Sequence, residues 1–161
     1  MFLYRLFDNV LIDITARRLK DVKLFGGLDP YLAVYVKEED EWKELFRTNI
    51  ARNTLKPRWD TVKIRSSIFR EKEGSKFTTK VFSRNRVGSD TLIGSAKIDN
   101  IFLVEENKEN TTKVVIRDRT DEKNLTGIVI FNVTRNTYEK SKHVVIPYHL
   151  VSNTSLSDNQ S

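Results

Sequence analysis

Two histidines, 22 carboxylates and no cysteine bound the chemistry open to this chain of 161 residues. Without a thiol there is no disulfide, no thiolate metal site and no cysteine nucleophile. His143 and His149 stand near the C-terminus, beside neither a nucleophile nor a cluster of metal ligands. The carboxylates of "RDRTDEKN" (117–124) read as part of a solvated turn between strands, and no Walker- or Rossmann-type glycine loop is present. These residues imply a protein that is not an enzyme. What remains is cationic: Lys+Arg 28 against Asp+Glu 22 gives a net charge of +6, which favours an anionic partner such as a membrane surface or nucleic acid. The aromatic residues fall at strand-core positions and do not interleave with a basic patch, which argues against nucleic acid. The stretch "LFGGLDPYLAVYV" (24–36) carries an apolar pair, two glycines, a turn at Asp29-Pro30 and then a β-rich run. That order describes a loop tip presented by a strand.

The elements that must position such a tip show a period of two. "NVLIDITA" places Val10, Ile12, Ile14 and Ala16 on one face, and "YLAVYV" does the same for Leu32, Val34 and Val36. "WKELFRTNI", "WDTVKIRS", "SKFTTKVF", "TLIGSAKI", "TKVVIRD" and "TGIVIFNV" continue the series, separated by turn-rich or charged stretches. Eight short strands without a convincing amphipathic helix predict an all-β fold, an eight-stranded antiparallel Greek-key β-sandwich. Residues 1–135 form this domain, and 136–161 are a C-terminal extension, partly disordered or a linker; "HVVIPYHL" within it is a possible edge. Arg5, Asp8 and Asp13 interrupt the apolar N-terminus before it reaches the length of a signal or membrane span, so a soluble, cytoplasmic protein is expected. The sequons at Asn110, Asn124, Asn132 and Asn153 are then unused.

"GGLDPYLAVYV", "RTNIARNTLKPRWDTVKI", "KFTTKVF" and "DTLIGSAKI" resemble, in order, four signatures of the phospholipid-binding C2 domain, over residues 8 to 135. With "LIDITA" near the start and "LTGIVIFNV" closing the domain, the chain is similar to the permutation whose extra strand comes last. Pro30 and Pro57 suit strand beginnings, and Tyr31 and Trp59 suit the edge of a core. The resemblance implies five calcium-binding loop aspartates, whose positions fall here on Lys23, Asp29, Ser83, Asn85 and Thr91. One carboxylate of five is retained; Asp21 and Asp90 join Asp29 only as residual candidates. Calcium is therefore not expected as a cofactor, and no metal site is assigned.

In place of the aspartates, the resemblance puts cations and apolar side chains at two loop tips: Lys23 with Leu24 and Phe25, Arg84 and Arg86 with Val87. Near an anionic leaflet each cation contributes about 1 kcal/mol. Gly26 and Gly27 allow the tight fold that turns Leu24 and Phe25 outward, while Asp29 serves the loop by accepting backbone N–H groups or facing Lys23. A second lipid site of the family, a basic groove, is matched by Tyr31 and Arg47, but two of its lysine positions fall on Ala33 and Leu45. Lys63 and Arg65 are candidates to compensate. The expected function is a calcium-independent peripheral membrane-targeting module for phosphatidylserine or phosphoinositide. The alternative is a scaffold domain that docks a protein partner and has no lipid role.

Overall fold

The computed structural model describes residues 8–136. Eight strands follow the eight alternating segments: β1 (Asn9–Arg17), β2 (Pro30–Glu38), β3 (Glu41–Arg47), β4 (Val62–Arg65), β5 (Phe77–Ser83), β6 (Thr91–Ile98), β7 (Glu109–Arg117) and β8 (Leu125–Asn136). Their order is β3-β2-β5-β6-β7-β8-β1-β4, antiparallel throughout. The two halves, β3-β2-β5-β6 and β7-β8-β1-β4, meet at one residue pair, Ser95 with Arg117. There the sheet folds over into the predicted sandwich. Residues 137–161, and with them the expected extension and the "HVVIPYHL" edge, lie outside the described residues, as do 1–7.

Period-two alternation is what lets each strand bury one face. Val10, Ile12, Ile14 and Ala16 of β1, Leu32, Val34 and Val36 of β2, and Val129, Phe131 and Val133 of β8 form the core. Phe102, in the connection after β6, fills its centre. It packs face to face on Phe69 at 4.7 Å and edge-on against Phe46 and Phe131 at 5.7 and 6.0 Å. Phe69 belongs to an element that the alternation does not show, a short helix, α1 (Ser66–Glu71). Six residues are under two turns, too few for a helical period to register, and Phe69 is its one fully buried aromatic. Trp59 donates its Nε1–H to the carbonyl of Pro30 at 3.0 Å, and Ala16 N–H donates to the carbonyl of Pro57. Both prolines thus hold the crossing from β3 to β4 against β1 and β2.

Gly94 shows how close the layers come. A Cβ there would stand 2.0 Å from Thr126 Oγ1 and 3.1 Å from the carbonyl of Arg117. Thr126 Oγ1 is buried and has no hydrogen-bond partner among the described residues. Gly94→Ala is therefore expected to destabilise the domain by about 1–3 kcal/mol through overpacking. Thr126→Ala removes the clashing atom and forfeits no hydrogen bond, so it should recover most of that loss in the double variant. Thermal unfolding of the four proteins decides it: purely additive midpoints would mean that the contact is not the cause.

Candidate functional site

Four connections emerge at one end of the sandwich: 18–29 after β1, 48–61 after β3, 84–90 after β5 and 118–124 after β7. The first is clamped at both feet by Leu19 and Leu28, which are buried in the core. Between them the chain rises, and Leu24 and Phe25 stand 93% and 87% exposed. The two glycines act differently. Gly26 has φ +77°, the left-handed region that glycine enters without penalty, whereas Gly27 allows close approach, since a Cβ would lie 1.8 Å from Asn53 Oδ1.

Asp29 ties three of the connections together. Its N–H donates to Ser83 Oγ at 3.0 Å, its carbonyl accepts Arg84 N–H at 2.9 Å, and its carboxylate accepts Asn53 N–H at 2.8 Å. The carboxylate thus serves backbone N–H groups, one of the two roles expected for it. The other two acidic candidates are occupied as well. Asp21 Oδ1 accepts Lys23 N–H at 3.2 Å. Asp90 accepts Tyr31 O–H at 2.6 Å on one oxygen and Asn85 N–H at 3.0 Å on the other. The Tyr31 hydroxyl first, then Asn85, holds the Asp90 carboxyl below the usual carboxylate range. Burial, then Asp90, pushes the Tyr31 phenol up to about 12. Asn85 Nδ2 donates to Ser89 O and Thr91 Oγ1. No group of three or more His, Cys, Asp or Glu side chains is placed to hold a metal ion among the described residues.

This hydrogen bonding shapes the second tip. Val87 stands 89% exposed at its summit, preceded by the exposed Arg84 and Arg86 and followed by Gly88 at φ +79°. Lys23, Arg84 and Arg86 enter no ion pair with any described residue. The structure therefore gathers six of the sequence candidates, Lys23, Leu24, Phe25, Arg84, Arg86 and Val87, onto loops that share the Asp29 tie. Asn53 was not among the candidates. Its φ of +50°, common for Asn in turns, and its place just before the Thr-Leu-x-Pro turn are the signals that mark it.

Tyr31 and Arg47 sit together on the outer face of β2 and β3, in a stack. The Arg47 guanidinium lies 5.1 Å from the Tyr31 ring centroid, and that ring stacks on Phe82 at 5.3 Å. Both polar ends are engaged internally: Arg47 donates twice to Glu44, at 2.7 and 2.6 Å, and Tyr31 donates to Asp90. Lys63 and Arg65 cannot compensate for the missing lysines. They belong to β4, which pairs with β1 in the other layer. The cation beside the stack is instead Lys80 on β5, 5.2 Å from the Tyr35 ring centroid, and cross-strand register places it.

The family model of the C2 domain matches residues 11–115. The chain belongs to the C2 domain family. In this C2 domain the strand that comes last, β8, is inserted between β7 and β1, as the resemblance implied. A calcium-dependent lipid-binding protein of Arabidopsis thaliana is 33% identical over 86 residues, which is 53% of this chain and 15% of that protein. Among solved structures, a C2 domain of plant Extended Synaptotagmin 1 aligns with TM-score 0.61 at 16% identity, over 81% of this chain and 95% of that one. BON1-C2B aligns with TM-score 0.62 at 19% identity, over 84% and 96%. Human GIVD cytosolic phospholipase A2 shares the fold over 81% of this chain and 16% of its own, with TM-score 0.56 and 16% identity. Among the described residues no helix is long and apolar enough to cross a membrane.

Proposed function

We propose that this C2 domain is a peripheral membrane-targeting module, without an enzymatic activity of its own, that binds anionic phospholipid at a cytoplasmic surface through its two loop tips and without calcium. The observation that carries the reading is the company kept by three apolar side chains. Leu24, Phe25 and Val87 are almost fully exposed at one end of the sandwich, beside Lys23, Arg84 and Arg86. Exposed apolar groups rimmed by cations suit a surface that is anionic at its headgroups and apolar beneath. The curated relative from Arabidopsis is named for lipid binding, which supports a lipid partner in general. The same relative is named calcium-dependent, and here the donor set does not fit the ion. Calcium takes six to eight oxygen ligands. Of the candidate carboxylates, Asp90 has both oxygens hydrogen-bonded, Asp29 holds Asn53, and Asp21 holds Lys23 N–H.

Calorimetric titration with calcium is expected to show no saturable heat below about millimolar concentration, the weak end of protein calcium sites. A micromolar site would overturn the calcium-independent reading. Co-sedimentation with phosphatidylserine vesicles is expected to fall as added salt shortens the Debye length, and to be indifferent to chelators. Equal binding to neutral vesicles would remove the basic tips as the cause. No binding to any vesicle would favour the protein-docking alternative.

A further inference from the structure

Three hydroxyl side chains in the sequence stand three residues after an arginine: Thr61 after Arg58, Ser89 after Arg86 and Thr120 after Arg117. Such spacing is what a basophilic protein kinase reads, because its acidic substrate groove selects by charge pattern. The structure separates the three. Thr61 Oγ1 donates to Asp13, and the chain before it is pinned by the buried Trp59, whose N–H and Nε1–H donate to the carbonyls of Ile14 and Pro30 at 3.2 and 3.0 Å. Thr120 Oγ1 donates to Asp118 at 2.8 Å, and Arg117 itself donates to the carbonyl of Glu122 at 3.1 Å. Ser89 is exposed on the second tip, and its hydroxyl makes no hydrogen bond to any described residue.

The stretch "RNRVGS" (84–89) adds a second arginine, Arg84, five residues before Ser89. Arg84 and Arg86 are exposed and form no ion pair among the described residues. Asp90, the carboxylate next in sequence, is occupied by Tyr31 O–H and Asn85 N–H. Both guanidinium groups are therefore available to an acidic groove. The segment can also open to enter one. Hydrogen bonds from Asn85 to Asp90, Ser89 and Thr91 close the loop, and none of the side chains from Arg84 to Asp90 is buried. Loops of that kind open locally at little cost, whereas extending the chain before Thr61 would pull Trp59 from the core.

We propose that Ser89 is a phosphorylation site for a basophilic protein kinase, and that phosphate there releases the tips from an anionic membrane; the release rests on the membrane-targeting reading above. In the transfer, Ser89 Oγ bonds the γ-phosphorus of ATP as that phosphorus parts from the β–γ bridging oxygen. ADP leaves, and the hydroxyl proton passes to the catalytic carboxylate of the kinase. Phosphoserine carries a charge of about −1.5 to −2 at pH 7. Set among Lys23, Arg84 and Arg86, it cancels most of the cationic charge of the tips and offers the two arginines an internal partner in place of headgroups.

The test incubates the full chain with magnesium-ATP and protein kinase B as the basophilic probe, and maps phosphate by mass spectrometry. Phosphate is expected on Ser89 and not on Thr61 or Thr120, with the rate at Ser89 at least about tenfold lower in Arg86→Gln. Affinity for phosphatidylserine vesicles should then fall by about 10- to 30-fold in the treated wild type, and stay unchanged in Ser89→Ala treated in the same way. No phosphate on Ser89 of the folded protein overturns the site. Phosphate on Ser89 with vesicle binding unchanged overturns the release. An unmodified protein that binds no vesicle removes the membrane-targeting reading and the release with it, while the mass shift at Ser89 decides the site by itself.

Discussion

Replacing Leu24 and Phe25 together with serine is expected to weaken binding to phosphatidylserine vesicles by about 10- to 30-fold, without moving the thermal midpoint by more than a few degrees. Full burial of Leu or Phe is worth about 1.5–3 kcal/mol each, and a tip that reaches only the headgroup boundary recovers part of that. The midpoint should hold because neither side chain belongs to the core: both are nearly fully exposed, and the loop is anchored instead by Leu19 and Leu28. Surface changes of this kind usually stay within about 0.5 kcal/mol of the parent. A collapse of the midpoint would mean that Phe25 is a packing residue in solution, and the partner-docking reading would then move ahead. The electrostatic contribution is separable, since salt should weaken the wild type and the serine variant in parallel.

Arg135→Ala is expected to produce the largest loss of stability, about 3 kcal/mol, equivalent to about 10 °C in midpoint for a domain of this size. Asp8 is only 4% exposed and accepts Arg135 Nε and Nη2 at 2.8 and 2.6 Å, with Arg70 Nη1 farther off at 3.6 Å. Its backbone carbonyl accepts Ser66 N–H at 3.0 Å, so the same residue also holds the start of α1. Removing Arg135 leaves a buried carboxylate with one distant cation. Asp8→Asn should cost less, because the Arg135 side chain is a quarter exposed and can turn to water.

Acid should act on the same pair. Burial pushes the Asp8 carboxyl up, but hydrogen bonds from Arg135 and Ser66 and the two guanidinium charges outweigh it and hold the group below its usual value. A folded value below the unfolded one, about 3.9, means that this stabilisation is fully present above that pH and is lost as pH falls through the folded value. The wild type should therefore lose stability in that acidic window more steeply than Arg135→Ala. Parallel curves for the two proteins would remove Asp8 as the titrating group.

The strands were legible because each must alternate to bury one face, a pattern written in consecutive residues. The tip was legible for a similar reason: "KLFGGLD" holds its cation, its apolar pair and its turn glycines within one loop. The bonds that hold the tip are another matter. Asp29 reaches Asn53 and Ser83 across sequence separations of 24 and 54, Tyr31 reaches Asp90 across 59, and Asp8 reaches Arg135 across 127. None of these pairings leaves a local signature, since Asp, Ser and Asn suit a solvated loop equally well. Layer membership was hidden for the same reason. Lys63 and Arg65 alternate outward like any exposed strand residues, and only the pairing of β4 with β1 puts them on the opposite side from Arg47. Helix α1 and Phe102 escaped because a single buried aromatic in a short segment has no period to reveal it.

The tie between the loops also bears on timing. In a module whose loops are drawn together by an arriving ion, the encounter with a surface waits for a signal, and release follows its decay. Here Asp29, Ser83, Asn53 and Asp90 hold the two tips in place through the polypeptide's own donors and acceptors. Their ordering is settled when the chain folds, and little conformational entropy remains to be lost at the moment of contact. If the tips meet a membrane as proposed, arrival would be governed by diffusion and by the charge of the surface, and departure by how long two short apolar wedges stay inserted. On the proposed reading, such a module would follow the slow composition of a leaflet and ignore brief ionic pulses.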